Sequence, residues 1–135
     1  MITYIFTRNE FKFIASAMEL PVLPKHMIDD DPLSDSECAE AERSLEQKHF
    51  CRFGISGGSI EAGIAFLFKT MGSAGRVLIG DDEEKFTAFI GVCSILLCEY
   101  PENRLAVIPF ETEDGLVKAL HERNIHKWND IRLEE

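Results

Sequence analysis

Ser56 stands at the centre of Gly54-Ile-Ser-Gly-Gly58, a G-x-S-x-G spacing. In serine hydrolases that spacing seats a hydroxyl on a strained turn between a strand and a helix, exposed above a sheet beside oxyanion amides. Asp114 and His121 follow in the chain order such a triad takes. Two features oppose the reading. The preceding segment, Glu40 to Cys51, has a helical pattern, and 135 residues are few for a hydrolase sheet. The expectation is therefore a glycine-rich connector between helices in a protein that is not an enzyme, with a small serine hydrolase through Ser56 as the enzymatic alternative. The same glycines are not followed by the Gly-Lys-Ser/Thr that completes a phosphate-binding loop.

Metal chemistry finds no better footing. Cys38, Cys51, Cys93 and Cys98 contain no C-x-x-C pair, so neither a zinc knuckle nor a thioredoxin-like site is signalled, and buried free thiols are expected. His26, His49, His121 and His126 are scattered, and the last two are five apart instead of the four that put two ligands on one helical face. Asp29-Asp30-Asp31 lacks the alternation and the glycine of a calcium loop. No metal and no cofactor is expected.

Charge says more. The chain carries 14 Lys+Arg against 24 Asp+Glu, a net charge of -10, which repels phosphate backbones and makes nucleic acid and anionic membrane surfaces poor partners. Residues 25–50 hold eight acids and three bases, as expected of a solvated face. Asp81-Asp82-Glu83-Glu84 differs, because it falls between two apolar extended runs. A loop of that kind on a rigid hairpin is a partner-binding candidate that draws Lys or Arg. Phe86 or Phe89 beside it is the expected apolar anchor, in reach of unpaired strand backbone. The N-terminus shows no secretory leader. The longest apolar window, Phe86 to Cys98, is short and is broken by Thr87, Gly91 and Ser94. A cytoplasmic location is expected.

The elements that must position these residues are legible from periodicity. Ile2 to Phe6 reads as an edge strand or a packed arm. Thr7-x-x-Glu10 is a capping box opening a helix with Phe11, Ile14, Ala15 and Met18 on one stripe. Pro21-Val-Leu-Pro24 should run extended, and Ser34-x-x-Glu37 caps a second helix to about Phe50. Ser59 is placed as the cap of a third helix bearing Ile60, Ile64, Leu67, Phe68 and Met71. Ala65 and Phe66 on its flank suggest that it is the most buried of the helices. Then the period changes. Arg76 to Ile79, Phe86 to Tyr100 and Leu105 to Phe110 read as strands, with Pro109 suggesting a sheet edge. Thr112 caps a last helix with Leu116, Ala119 and Leu120, and about residues 124–135 read as a polar tail. The fold expected is α+β: N-terminal helices on one face of a three- to four-stranded antiparallel meander, with a C-terminal helix, in one domain over residues 1–135.

These landmarks come in a particular order. Thr7-Arg-Asn-Glu-Phe11 is followed by Leu20-Pro-Val-Leu-Pro24, then by Leu33-Ser-Asp-Ser-Glu-Cys-Ala-Glu-Ala-Glu-Arg43. A Leu45 to Gly54 passage leads into a further helix, and Leu105-Ala-Val-Ile-Pro-Phe110 runs into a short one. In that order and spacing, over about residues 5–122, the chain resembles EspG-type proteins, the cytosolic chaperones of type VII (ESX) secretion. Those proteins consist of two similar halves related by a pseudo-two-fold axis, and this chain is similar to one half. Trp128 is followed by Asn129 and Asp130, so the Trp-x-Gly of a secreted WXG-type substrate is missing. The resemblance implies a protein-binding chaperone for a secreted helical client, and it transfers no site residue. An acidic immunity protein that masks a secreted toxin is the alternative of the same size and charge. A homodimer is expected as well, because Phe89, Ile95 and Leu97 face away from Phe86, Ile90 and Leu96, and both faces of the strand need covering.

Overall fold

A computed structural model of the chain describes residues 2–20, 24, 26–29, 31–54, 57–80 and 85–132. Its architecture is α+β. Strand β1 (Tyr4–Thr7) leads directly into helix α1 (Arg8–Ala17), and helix α2 (Asp35–Gln47) follows. A hairpin of β2 (Cys51–Gly54) and β3 (Gly57–Ile60) precedes helix α3 (Ala62–Gly72). The chain continues through β4 (Arg76–Ile79), β5 (Phe86–Ile90), β6 (Ser94–Tyr100) and β7 (Arg104–Phe110) to helix α4 (Glu113–Glu122) and strand β8 (Asn129–Arg132). The main sheet has the order β1-β7-β6-β5-β4-β8 and is antiparallel throughout.

Local chemistry fixes most boundaries. Both capping boxes form: the Thr7 and Ser34 hydroxyls accept from the amides of Glu10 and Glu37, whose carboxylates accept from the cap amides in return. α1 stops at Ala17, and Glu19 behind it takes a left-handed φ of 55°. The extended run expected over Pro21–Pro24 lies mostly outside the described residues.

Four expectations about the elements are corrected. Phe86 to Tyr100 is two strands, because the chain reverses at Gly91-Val92-Cys93, with Ile90 opposite Ser94. Ser59 and Ile60 belong to β3, and the cap of α3 is Glu61, whose carboxylate accepts from the amides of Gly63 (3.0 Å) and Ile64 (2.9 Å). The polar tail contributes a strand, β8, which lies beside β4 with Ile131 opposite Val77 and makes the sheet six strands wide. The connector after Cys51 is a hairpin, discussed below.

Two apolar layers flank the sheet. On one face α1, α2 and α3 supply Phe11, Ile14, Leu45, Ile64 and Phe68 against Phe6, Val77, Phe89, Ile95, Leu97, Leu105 and Val107. The Phe6, Phe11 and Phe68 rings meet there with centroids 4.8–6.4 Å apart. On the other face α4 and the segment after it supply Leu116, Leu120 and Ile125 against Leu78, Phe86, Ala88, Leu96, Ala106 and Ile108. The alternation expected between Phe86 and Phe89 therefore holds, but the second layer comes from the same chain. The uncovered face that argued for a second copy is already covered. No helix among the described residues is long and apolar enough to cross a membrane.

Candidate functional site

The acidic tip Asp81, Asp82, Glu83 and Glu84 lies outside the described residues. The two rings expected beside it as anchors are buried. Phe86 is 1% exposed and Phe89 is 7% exposed, on opposite faces of the sheet and each inside one of the two cores. Every residue of β5 is paired with β6, and Thr87 to Ile90 are paired with β4 as well, so the paired run leaves no long unpaired stretch beside the rings. The proposed anchors are core residues because three strands and a helical layer converge on them.

Ser56 is also outside the described residues, but its surroundings are informative. β2 and β3 pair through Gly54 opposite Gly57, so the glycine segment joins strand to strand, whereas a nucleophile elbow joins strand to helix. The glycines have a hairpin explanation. Gly57 sits at φ 116°, and a Cβ on Gly58 would stand 2.9 Å from Phe53 Cδ1. Asp114 and His121 ride on α4, whose Leu116 and Leu120 pack on one sheet face, while Cys51 of the hairpin packs on the other. His121 lies against the rings of His126 and Trp128, with centroids 5.1 and 5.8 Å away. Among the described residues no group of three or more His, Cys, Asp or Glu could hold a metal ion. Burial pushes the thiols of Cys51 and Cys93 up, away from thiolate chemistry, although a bond from Thr70 partly opposes the shift at Cys93.

What the structure does open is a groove of about 680 Å³ at the β1–β7 end of the sheet. α3 forms one wall with Gly63, Phe66 and Leu67, and the start of α4 forms the other with Thr112 and Gly115. The end of β7 (Pro109, Phe110), Tyr4 and Cys93 line the space between, and Ile2 borders it. Phe66 is 50% exposed and Ile2 64%; Val92, next to Cys93 in the turn, is 86% exposed. Three of the four exposed large apolar residues among those described thus gather at one end of the molecule. The lining holds one carboxylate, Glu111, and no Lys, Arg or His among the described residues. Glu61 adds a second carboxylate at the rim: its oxygens lie 3.1 and 3.4 Å from where a Gly63 Cβ would be. The two amide bonds it accepts hold its carboxyl below the ordinary 4.5.

Sequence reasoning passed over this surface. Phe66 was the available signal, an aromatic residue off the stripe of Ile64, Leu67, Phe68 and Met71, and it reads as extra burial only if a second layer covers it. The wall at α4 depends on its cap, since the Thr112 hydroxyl accepts from the Gly115 amide at 3.1 Å. Thr112→Ala should cost about 1 kcal/mol of stability in urea unfolding.

Comparison with known proteins finds no family model that matches the chain and no curated protein that matches it.

Proposed function

We propose that this chain is a non-enzymatic, cytoplasmic protein-binding accessory protein, a chaperone that covers the apolar tip of a helical client of type VII secretion until the secretion machine takes it. Phe66 carries the reading. A half-exposed aromatic ring on an otherwise packed helix, at the mouth of an apolar groove, is a surface that gains by being covered. Occlusion needs no nucleophile and no metal, only apolar area held on rigid elements, and α3, α4 and β7 provide that. The net charge of -10 favours a basic client and speeds its encounter at low salt.

Affinity capture with the tagged full chain from its native host, read by mass spectrometry, tests this. The expected result is enrichment of a secreted helical-hairpin protein in the cytoplasmic fraction. Enrichment of a toxin enzyme domain instead would make the protein an immunity factor. Labelling of Ser56 by a fluorophosphonate probe would replace both readings with a hydrolase.

A further inference from the structure

The groove offers side chains and charge to a partner, and very little backbone. In β1 the amide of Thr7 donates to Glu10 Oε1 (2.7 Å) and the carbonyl of Ile5 accepts from Lys48 Nζ (3.4 Å). Both groups point away from β7, so two of the outward backbone groups of β1 are already engaged. By alternation, Tyr4 and Phe6 bond toward β7, opposite Val107 and Leu105. The next β7 residue aimed at that edge is Pro109, which has no N–H to give. The ladder accordingly ends at Tyr4 opposite Val107. An added strand would find the Thr7 amide and the Ile5 carbonyl taken on β1 and a missing donor beyond it. A helix satisfies its own backbone and needs only an apolar face to seat.

Charge narrows the occupant further. Glu111 stands in the lining at the end of β7 and Glu61 beside Gly63 of the α3 wall, and no Lys, Arg or His lines the groove among the described residues. A second copy of a chain with net charge -10 would bring like charge to that rim. We infer that the groove between α3 and α4 seats a partner helix whose apolar face is bordered by Lys or Arg, with Phe66 as the apolar contact and Glu61 and Glu111 reading the basic border. This rests on the protein-binding reading above and adds the partner's chemistry.

The test uses the full chain and stapled amphipathic helical peptides with one Leu-rich face, bordered by Lys in one peptide and by Gln in another. A third peptide has the Lys composition but is kept extended by prolines. Fluorescence anisotropy should show the Lys-bordered helix binding, with Phe66→Ser weakening it by about tenfold or more. The double variant Glu61→Gln, Glu111→Gln should weaken the Lys-bordered helix about tenfold and leave the Gln-bordered one unchanged. The inference is overturned if no helix binds, if the extended peptide binds as well as the helix, or if the double variant affects both helices alike. Host capture separates the two levels. A client still captured by Phe66→Ser keeps the chaperone reading and removes the groove. A peptide bound at the groove with no client in the host does the reverse.

Discussion

Phe89→Ala is expected to remove about 3 to 5 kcal/mol of folding stability, a large part of what a domain of this size has. Phe89 lies between Val77 of β4 and Ile95 of β6, its direct partners across the sheet, and all three belong to the core under α1, α2 and α3. Truncating the ring leaves a cavity walled by residues held from three strands, which cannot easily collapse into it. Urea unfolding would read the loss as a lower midpoint with an unchanged slope. An unchanged midpoint would mean that the ring is a surface anchor after all. The milder pair Phe89→Leu and Phe86→Leu tests the two-layer arrangement. Each should cost about 1 to 2 kcal/mol. The two rings are about 10 Å apart along the strand and on opposite faces, so the double variant should lose the sum within about 0.5 kcal/mol. A marked departure from additivity would mean that the rings share a core.

The faces of β5 and β6 were legible in the sequence while the strands themselves were not. A three-residue turn at Gly91-Val92-Cys93 pairs even positions with even and odd with odd, Phe86 with Cys98 and Phe89 with Ile95. Partners directly opposite in an antiparallel pair share a face. The alternation therefore runs through the turn as if the strand were unbroken. Gly91 was the only mark of reversal, and a lone glycine in an apolar run also fits a bulge. β8 was hidden for a different reason. Asn-Asp-Ile-Arg has one apolar residue and no period to read; its place comes from pairing with β4 and from Arg76, which bonds Asp130 of β8 and Glu113 of α4. The capping boxes at Thr7 and Ser34 were readable because both partners lie three residues apart. The groove was not, because its walls are residues 63–67 and 109–115, and no periodicity links segments that far apart.

The same distinction explains Glu10, whose role as a cap was visible and whose burial was not. The carboxylate is 1% exposed, and it accepts from the Thr7 amide, the Ser44 hydroxyl and Lys48 Nζ, each at 2.7 Å. Ser44 lies in α2 and Lys48 caps its C-terminus, so one buried charge ties the end of β1, the start of α1 and the end of α2. Burial pushes the carboxyl pKa up, but the bonds from Lys48, Thr7 and Ser44 more than offset it, and the net position is below the ordinary 4.5. Stability from a depressed carboxyl is fully present above its unfolded pKa and is lost as pH falls through the folded one. Glu10→Gln keeps the shape but removes the charge, and should cost about 2 to 3 kcal/mol at neutral pH. Lys48 is half-open to water and rehydrates, which keeps the loss below that of a fully buried pair. Asp29, held low by Lys12, and Glu37, held low by the Ser34 amide and hydroxyl, titrate in the same acid range, so the parent curve alone does not isolate Glu10. The difference between parent and Glu10→Gln does. It should stay flat from neutral pH down to about 4.5 and then shrink as acid removes from the parent what the variant never had. A difference that persists undiminished well below that pH would mean that Glu10 outperforms Gln through the hydrogen bonds its two oxygens accept and not through its charge.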